Sequence, residues 1–192
     1  MKKWAMASGL AALTAGLSGC ATLSVEECQV ANWYDIGYRD GVAGKSWSEL
    51  AAHSKACAKA HIVPDQNAWE QGRQAGLKQY CTTDNAYRIG LSGKAFATSQ
   101  CPASQFKSLD DANAMGRAIN NLEDKMKTIE KEVKALREEY EKLKNGENLK
   151  YATEKEARTR LANLPSIIND KIAEYNEAER RLTYLRNNAY YY

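Results

Sequence analysis

Nowhere does this chain gather charge of one sign. With Lys2 and Lys3 set aside, 25 basic residues stand against 24 acidic ones. Residues 20–103 hold eight of each, and residues 104–192 hold 17 and 16. A nucleic-acid partner needs a basic stripe or patch, so none is expected, and a sequence pI of about 8.5 does not argue for one. Segments that alternate apolar and polar residues as strands do are also missing, which leaves helices as the expected elements. No nucleophile elbow, Walker loop or paired histidine and glutamate zinc motif is present. The expectation is therefore no enzyme and no cofactor.

Long apolar runs are scarce too. The first, Trp4 to Leu17, has 14 uncharged residues, short of the roughly 20 that a membrane-spanning helix needs. Lys2 and Lys3 precede it, small Ser18 and Gly19 follow it, and polar residues begin at Thr22. That is the layout of a secretory signal peptide over residues 1–19. Leu17-Ser18-Gly19-Cys20 resembles the lipobox of bacterial lipoproteins. The resemblance implies cleavage before Cys20, a diacylglyceryl thioether on its sulfur and acylation of the new amino group. More than one acyl chain anchors a protein stably, so the membrane is an expected partner. Ala21, standing where an Asp would retain such proteins, implies the periplasmic face of the outer membrane.

Five cysteines are present, and giving Cys20 to lipid leaves Cys28, Cys57, Cys81 and Cys101. An even number in an exported chain reads as two disulfides, with three pairings open. Cys28 with Cys57 and Cys81 with Cys101 is favoured, because each bridge then closes one local helical unit. A loop of about 30 residues is worth roughly 3 to 4 kcal/mol in the chain-entropy model, a useful sum for a small domain. His53, Cys57 and His61 fall four apart on one helical face and form the one candidate metal set, but Cys57 is claimed by the disulfides and no fourth ligand stands out.

Capping signals divide the cysteine-rich part into short helices near 33–43, 47–61, 66–80 and 84–92, with Ser24 capping a first turn to Cys28. Asn32 with Asp35, Ser46 with Glu49, and Pro64-Asp65 mark starts, and Gly44 and Gly93 mark stops. Trp33, Gly37 and Gly41 are echoed by Trp69, Gly72 and Gly76, and more briefly by Tyr87, Gly90 and Gly93. Glycine within a helix costs about 1 kcal/mol against alanine, so these positions read as places of close helix contact. Cys28, Trp33, Gly37, Asp40-Gly41, Gly44, Cys57, Pro64-Asp65, Gly72, Gly76-Leu77, Tyr80-Cys81, Gly90, Gly93 and Cys101-Pro102 together resemble a family of proteobacterial envelope lipoproteins of unknown function. The resemblance covers residues 20 to about 103. It implies a small secreted helical domain and no known activity.

From Ile119 the apolar residues fall at Leu122, Met126, Ile129, Val133, Leu136, Tyr140 and Leu143, a seam of alternating three and four. Glu130 with Lys134 and Glu138 with Lys142 have the spacing of helical ion pairs. Asn145 to Asn148 reads as a turn. A second stripe follows at Leu161, Leu164, Ile168, Ile172, Tyr175, Ala178, Leu182 and Leu185, with Pro165 expected to kink or restart the helix. The expected architecture is all-α: a leader at 1–19, a disulfide-stapled helical domain at 20–103, and a long antiparallel helical hairpin of coiled-coil type at 104–192. The hairpin would pack on itself, on another copy or on a protein partner. Function is expected to be structural or interactive at the envelope, with a small metal-binding or glycan-binding module as the alternative.

Overall fold

The computed structural model describes residues 22–147 and 151–189. The leader, Cys20, Asn148 and the terminal Tyr190–Tyr192 lie outside the described residues. Among those described, every regular element is helical. Five short helices come first: α1 (Val25–Gln29), α2 (Trp33–Val42), α3 (Ser48–Cys57), α4 (Gln66–Tyr80) and α5 (Thr83–Leu91). Two long ones follow, α6 (Phe106–Lys144, 39 residues) and α7 (Glu154–Asn188, 35 residues). At 1.5 Å per residue each long helix is about 55 Å end to end.

Most starts and stops are those the sequence marks. Ser24 and Glu27 form a capping box on α1, and Asn32 and Asp65 accept from backbone N–H groups at the starts of α2 and α4. Ser46 is an exception. Its hydroxyl bonds that of Ser48 at 2.7 Å, and no side chain caps α3. Gly44 and Gly93 end their helices at φ of 69° and 77°, the left-handed region that favours glycine.

The packing is two crossed helix pairs, α2 against α4 and α5 against α6. A Cβ on Gly41 would overlap the Arg73 carbonyl, and one on Gly90 would overlap the Asn113 carbonyl. From the other side, Gly76 meets the carbonyl of Tyr38 and Gly116 meets that of Tyr87. The crossings therefore correspond residue for residue. Tyr38-Arg39-Asp40-Gly41-Val42-Ala43-Gly44-Lys45 matches Tyr87-Arg88-Ile89-Gly90-Leu91-Ser92-Gly93-Lys94. Even the partner of the terminal lysine carbonyl is equivalent: Arg73 Nη1 donates to Lys45 O at 3.3 Å, and Asn113 Nδ2 to Lys94 O at 3.0 Å. The repeat is a helix pair used twice, whereas the echo at 35 residues in the sequence relates the two members of the first pair.

Each pair has its own apolar cluster and disulfide. Leu23, Cys28, Ile36, Leu50, Cys57 and Trp69 form the first, and Leu77, Tyr80, Cys81, Ala86, Phe96, Cys101, Leu109 and Ala112 the second. Tyr80 stacks on Phe96 with ring centroids 4.3 Å apart and accepts from the Ala97 N–H at 2.9 Å. Burial pushes its pKa up, outweighing that backbone bond.

Helix α6 starts at Phe106, directly after the 3-10 turn Ala103–Gln105 in which the domain boundary expected from composition falls. Its first turns supply Leu109, Ala112, Asn113 and Gly116 to the second pair, so they belong with the helical domain. Beyond Ile119 it pairs with α7. Arg186 reaches Glu123 at 2.7 Å, Lys171 reaches Glu132 at 2.7 Å and Arg160 reaches Glu139 at 2.9 Å, an order that makes the helices antiparallel. Charged residues thus pair across the hairpin as well as along each helix, where Lys127 bonds Asp124 and Arg158 bonds Glu154. Glu130 bonds Tyr175, raising that phenol's pKa, and it does not form the expected pair with Lys134. The turn is also longer than the four residues expected, because α7 begins only where the Thr153 side chain caps it. Pro165 lies inside α7 without ending it. It sits on the exposed side, where water can reach the Leu161 carbonyl it leaves without a donor.

Candidate functional site

The polar interior of the first pair is the chief concentration of chemistry. Asp40 comes from the last turn of α2, His53 from the middle of α3 and Trp69 from the first turn of α4. Asp40 Oδ2 accepts from Trp69 Nε1 and bonds His53 Nε2, each at 2.8 Å. The other ring nitrogen, His53 Nδ1, bonds the Thr22 hydroxyl at 2.8 Å. In the neutral ring, Nε2 donates to the carboxylate while Nδ1 accepts from the threonine. His53 is 4% exposed and Trp69 is fully buried, so each polar atom depends on these partners.

Charged residues frame the cluster. Arg73 lies over the Trp69 ring with its guanidinium carbon 5.5 Å from the centroid, and donates to Glu70 at 2.7 and 2.9 Å. Burial raises the Glu70 pKa, but the bonds from Arg73 and Gln74 and the Arg73 charge outweigh it and hold it below the ordinary value. Glu49 pairs with Lys45 at 3.4 Å. Trp47 packs edge-on against Trp69, centroids 5.5 Å apart.

One ligand atom each from Asp40, Glu49 and His53 lies within 4.8 Å of the others. One nitrogen and two carboxylates suit a divalent transition metal. Each of those groups already has a protein partner, so a metal would have to displace Lys45 and compete with the Trp69 indole. The set differs from the one read in the sequence. Cys57 is joined to Cys28, and His61 is exposed at a left-handed φ of 54°, ending the 3-10 turn Ala58–Ala60. His53, Cys57 and His61 are thus not brought together. The second bridge joins Cys81 to Cys101, so both pairings are the local ones.

Sequence reasoning passed over Asp40, Glu49 and Trp69 as chemical groups. The signal was the repeated Tyr-Arg-X-Gly-X-X-Gly-Lys segment, in which Ile89 stands where Asp40 does. Leu109 likewise stands where Trp69 does. Both replacements are apolar and both lie in the second cluster. Crossing geometry therefore does not require the polar trio, and it has been added to one pair alone.

The cluster and both glycine crossings fall inside one recognisable region. Residues 32–118 match the family described as protein of unknown function (DUF2799). The uncharacterized protein YfiL of Escherichia coli (strain K12) is 35% identical over 68 residues, which are 35% of this chain and 51% of that protein. The chain thus spans about half the length of this curated relative. No solved structure matches it. The family match runs past residue 103, where the resemblance in the sequence was expected to end, and takes in Gly116. That end point fits the packing, because the DUF2799 region closes where α6 leaves α5. The hairpin beyond residue 118 lies outside it.

A second feature lies there. Ile129, Val133, Ile172 and Tyr175 floor an open groove of about 400 Å³ between α6 and α7, rimmed by Glu130, Lys134, Arg137 and Glu138. Of the seam residues on α6, Ile119 and Ile129 are buried, while Leu122, Met126, Val133, Leu136, Tyr140 and Leu143 stay half-exposed.

Proposed function

We propose that this chain is an envelope lipoprotein, held by lipid on Cys20 at the periplasmic face of the outer membrane, that works by protein contact and not by catalysis. On this reading the DUF2799 region is the membrane-proximal body and α6 with α7 is the contact arm. The observation that carries it is the half-covered seam. Two helices alone leave six of its eight α6 residues partly in water, and the groove between them has an apolar floor with both signs of charge on its rim. A partner helix with an apolar stripe and mixed flanking charge, from another protein or another copy, would complete it as a coiled coil.

Crosslinking in intact envelopes tests this in the full chain. Lys134 on the groove rim should join a partner chain, while Lys78, exposed on α4, should not. Crosslinks confined to residues 22–118 would move the contact to the domain. The anchor has its own test: the mature protein should carry the added mass of diacylglycerol and an acyl group, and Cys20→Ala should remain an unlipidated precursor.

The Asp40, Glu49 and His53 cluster favours a second reading, a metal-binding body with the hairpin as spacer. Stoichiometric Zn²⁺ bound by the full chain and lost in His53→Ala would support it over the first.

A further inference from the structure

We infer that the first helix pair lies directly on the bilayer, touching it with the face around Thr22, Val30 and Val63. This rests on the anchor proposed above and adds to it an orientation and a contact surface.

A lipid on Cys20 would leave the domain almost no slack. Residues that follow a lipid anchor often wander, but here they are fixed almost at once. Leu23 is buried among Cys28, Cys57 and Trp69, and the Thr22 hydroxyl is bonded to His53. Only Ala21 separates Thr22 from Cys20, and two residues of chain span at most about 7 Å. A lipid on Cys20 therefore brings the headgroups to the face on which Thr22 is held. The polar trio also gains a purpose. Crossing geometry does not need Asp40 and His53, as Ile89 shows, but pinning Thr22 does.

Exposed apolar residues stand beside that entry point, at the ends of α1 and of the 3-10 turn Ala58–Ala60, which pack together. Val30 and Val63 are 84% and 85% exposed. Both flank the Cys28–Cys57 bridge, against which Leu23 packs. Val30 stands two residues beyond Cys28, and Val63 follows Ile62, whose N–H donates to the Cys57 carbonyl at 3.3 Å. Glu26, Glu27, Lys55 and Lys59 are exposed on the same elements and balance in sign. The contact is therefore apolar and does not depend on anionic lipid.

Reporter tryptophans test it in the lipidated full chain, reconstituted into phosphatidylethanolamine and phosphatidylglycerol vesicles with brominated acyl chains. Val30→Trp and Val63→Trp replace exposed side chains and should leave the fold intact. Their added emission should fall about twofold against unbrominated vesicles, as for indoles at a membrane interface, while Lys127→Trp on the hairpin keeps its full signal. The unsubstituted protein gives a second measurement: amide exchange at residues 28–31 and 60–63 should slow in vesicles relative to the unlipidated Cys20→Ala chain. Lipid on Cys20 with unquenched reporters and unchanged exchange overturns this inference alone. Absence of lipid on Cys20 overturns the anchor and this inference together. Shielding of the two valines that persists in Cys20→Ala and doubles its mass in solution assigns the face to a second copy, which also overturns it.

Discussion

Asp40 holds Trp69 by a hydrogen bond across the α2–α4 crossing, carboxylate oxygen to indole nitrogen at 2.8 Å. The indole is fully buried and the carboxylate is 14% exposed, so the pair is expensive to break from the indole's side.

Asp40→Ala should therefore cost about 3 kcal/mol, since it strands the Trp69 N–H and the His53 Nε2 together. Glu49→Ala, which loses only a partly exposed pair with Lys45, should stay within about 0.5 kcal/mol. Urea midpoints of the two variants give the comparison. Equal losses would mean that the buried network contributes no more than a surface ion pair.

The glycine crossings are a separate source of stability. Gly41→Ala and Gly90→Ala each push a methyl into a facing carbonyl on a packed helix, and each should cost about 2 to 3 kcal/mol. Gly146→Ala meets nothing within 4 Å and is strained only by its φ of 83°, so about 1 kcal/mol is expected. A thermal melt of the three variants checks the order. Tolerance at Gly41 and Gly90 would show that the helix pairs can spread apart at little cost.

The helices were legible because their signals are local: Asn32, Asp65 and Gly44 act on the turn beside them. The glycine pattern was legible as close contact, since Gly37, Gly41, Gly72 and Gly76 share a face. What faced what was not. Gly116 lies between Met115 and Arg117 and reads as part of a long amphipathic helix, and only its meeting with Tyr87 assigns that stretch of α6 to the domain. Asp40 was hidden for the same reason. Its partners are 13 and 29 residues away on other helices, and nothing in its neighbours marks a buried carboxylate. Pro165 does not restart the helix, because an exposed position lets α7 run on through it.

Acid should loosen the hairpin. Hydrogen bonding and charge from Lys125, and then from Lys171, hold the Glu174 carboxyl below its ordinary pKa. A carboxyl with a lowered folded pKa adds stability at neutral pH, and that stability is lost as pH falls through the carboxylate range toward the folded value. The thermal midpoint of the hairpin should accordingly decline in acid below about pH 4, and Glu174→Gln should show a smaller decline from a lower neutral value. Circular dichroism melts across that range give the test. A decline of the same size in Glu174→Gln would assign it to other carboxylates.

The seam of α6 separates a hairpin closed on itself from one completed by a second copy. Ile129 is 3% exposed and lies against α7 in either case, so Ile129→Asp should cost about 3 kcal/mol or more by burying an unpaired charge. Lys127 faces solvent, where its 3.1 Å pair with Asp124 is worth little, and Lys127→Asp should be nearly neutral. Leu136 decides between the two arrangements. In a lone hairpin it is half in water and can swing an aspartate outward, so Leu136→Asp should be milder than Ile129→Asp and leave the mass in solution unchanged. In a four-helix assembly the same residue is covered by the partner copy, and Leu136→Asp should match Ile129→Asp in cost and halve the mass measured by light scattering. Equal tolerance of aspartate at Ile129, Leu136 and Lys127 would mean that the three-and-four spacing of apolar residues does not hold α6 to anything.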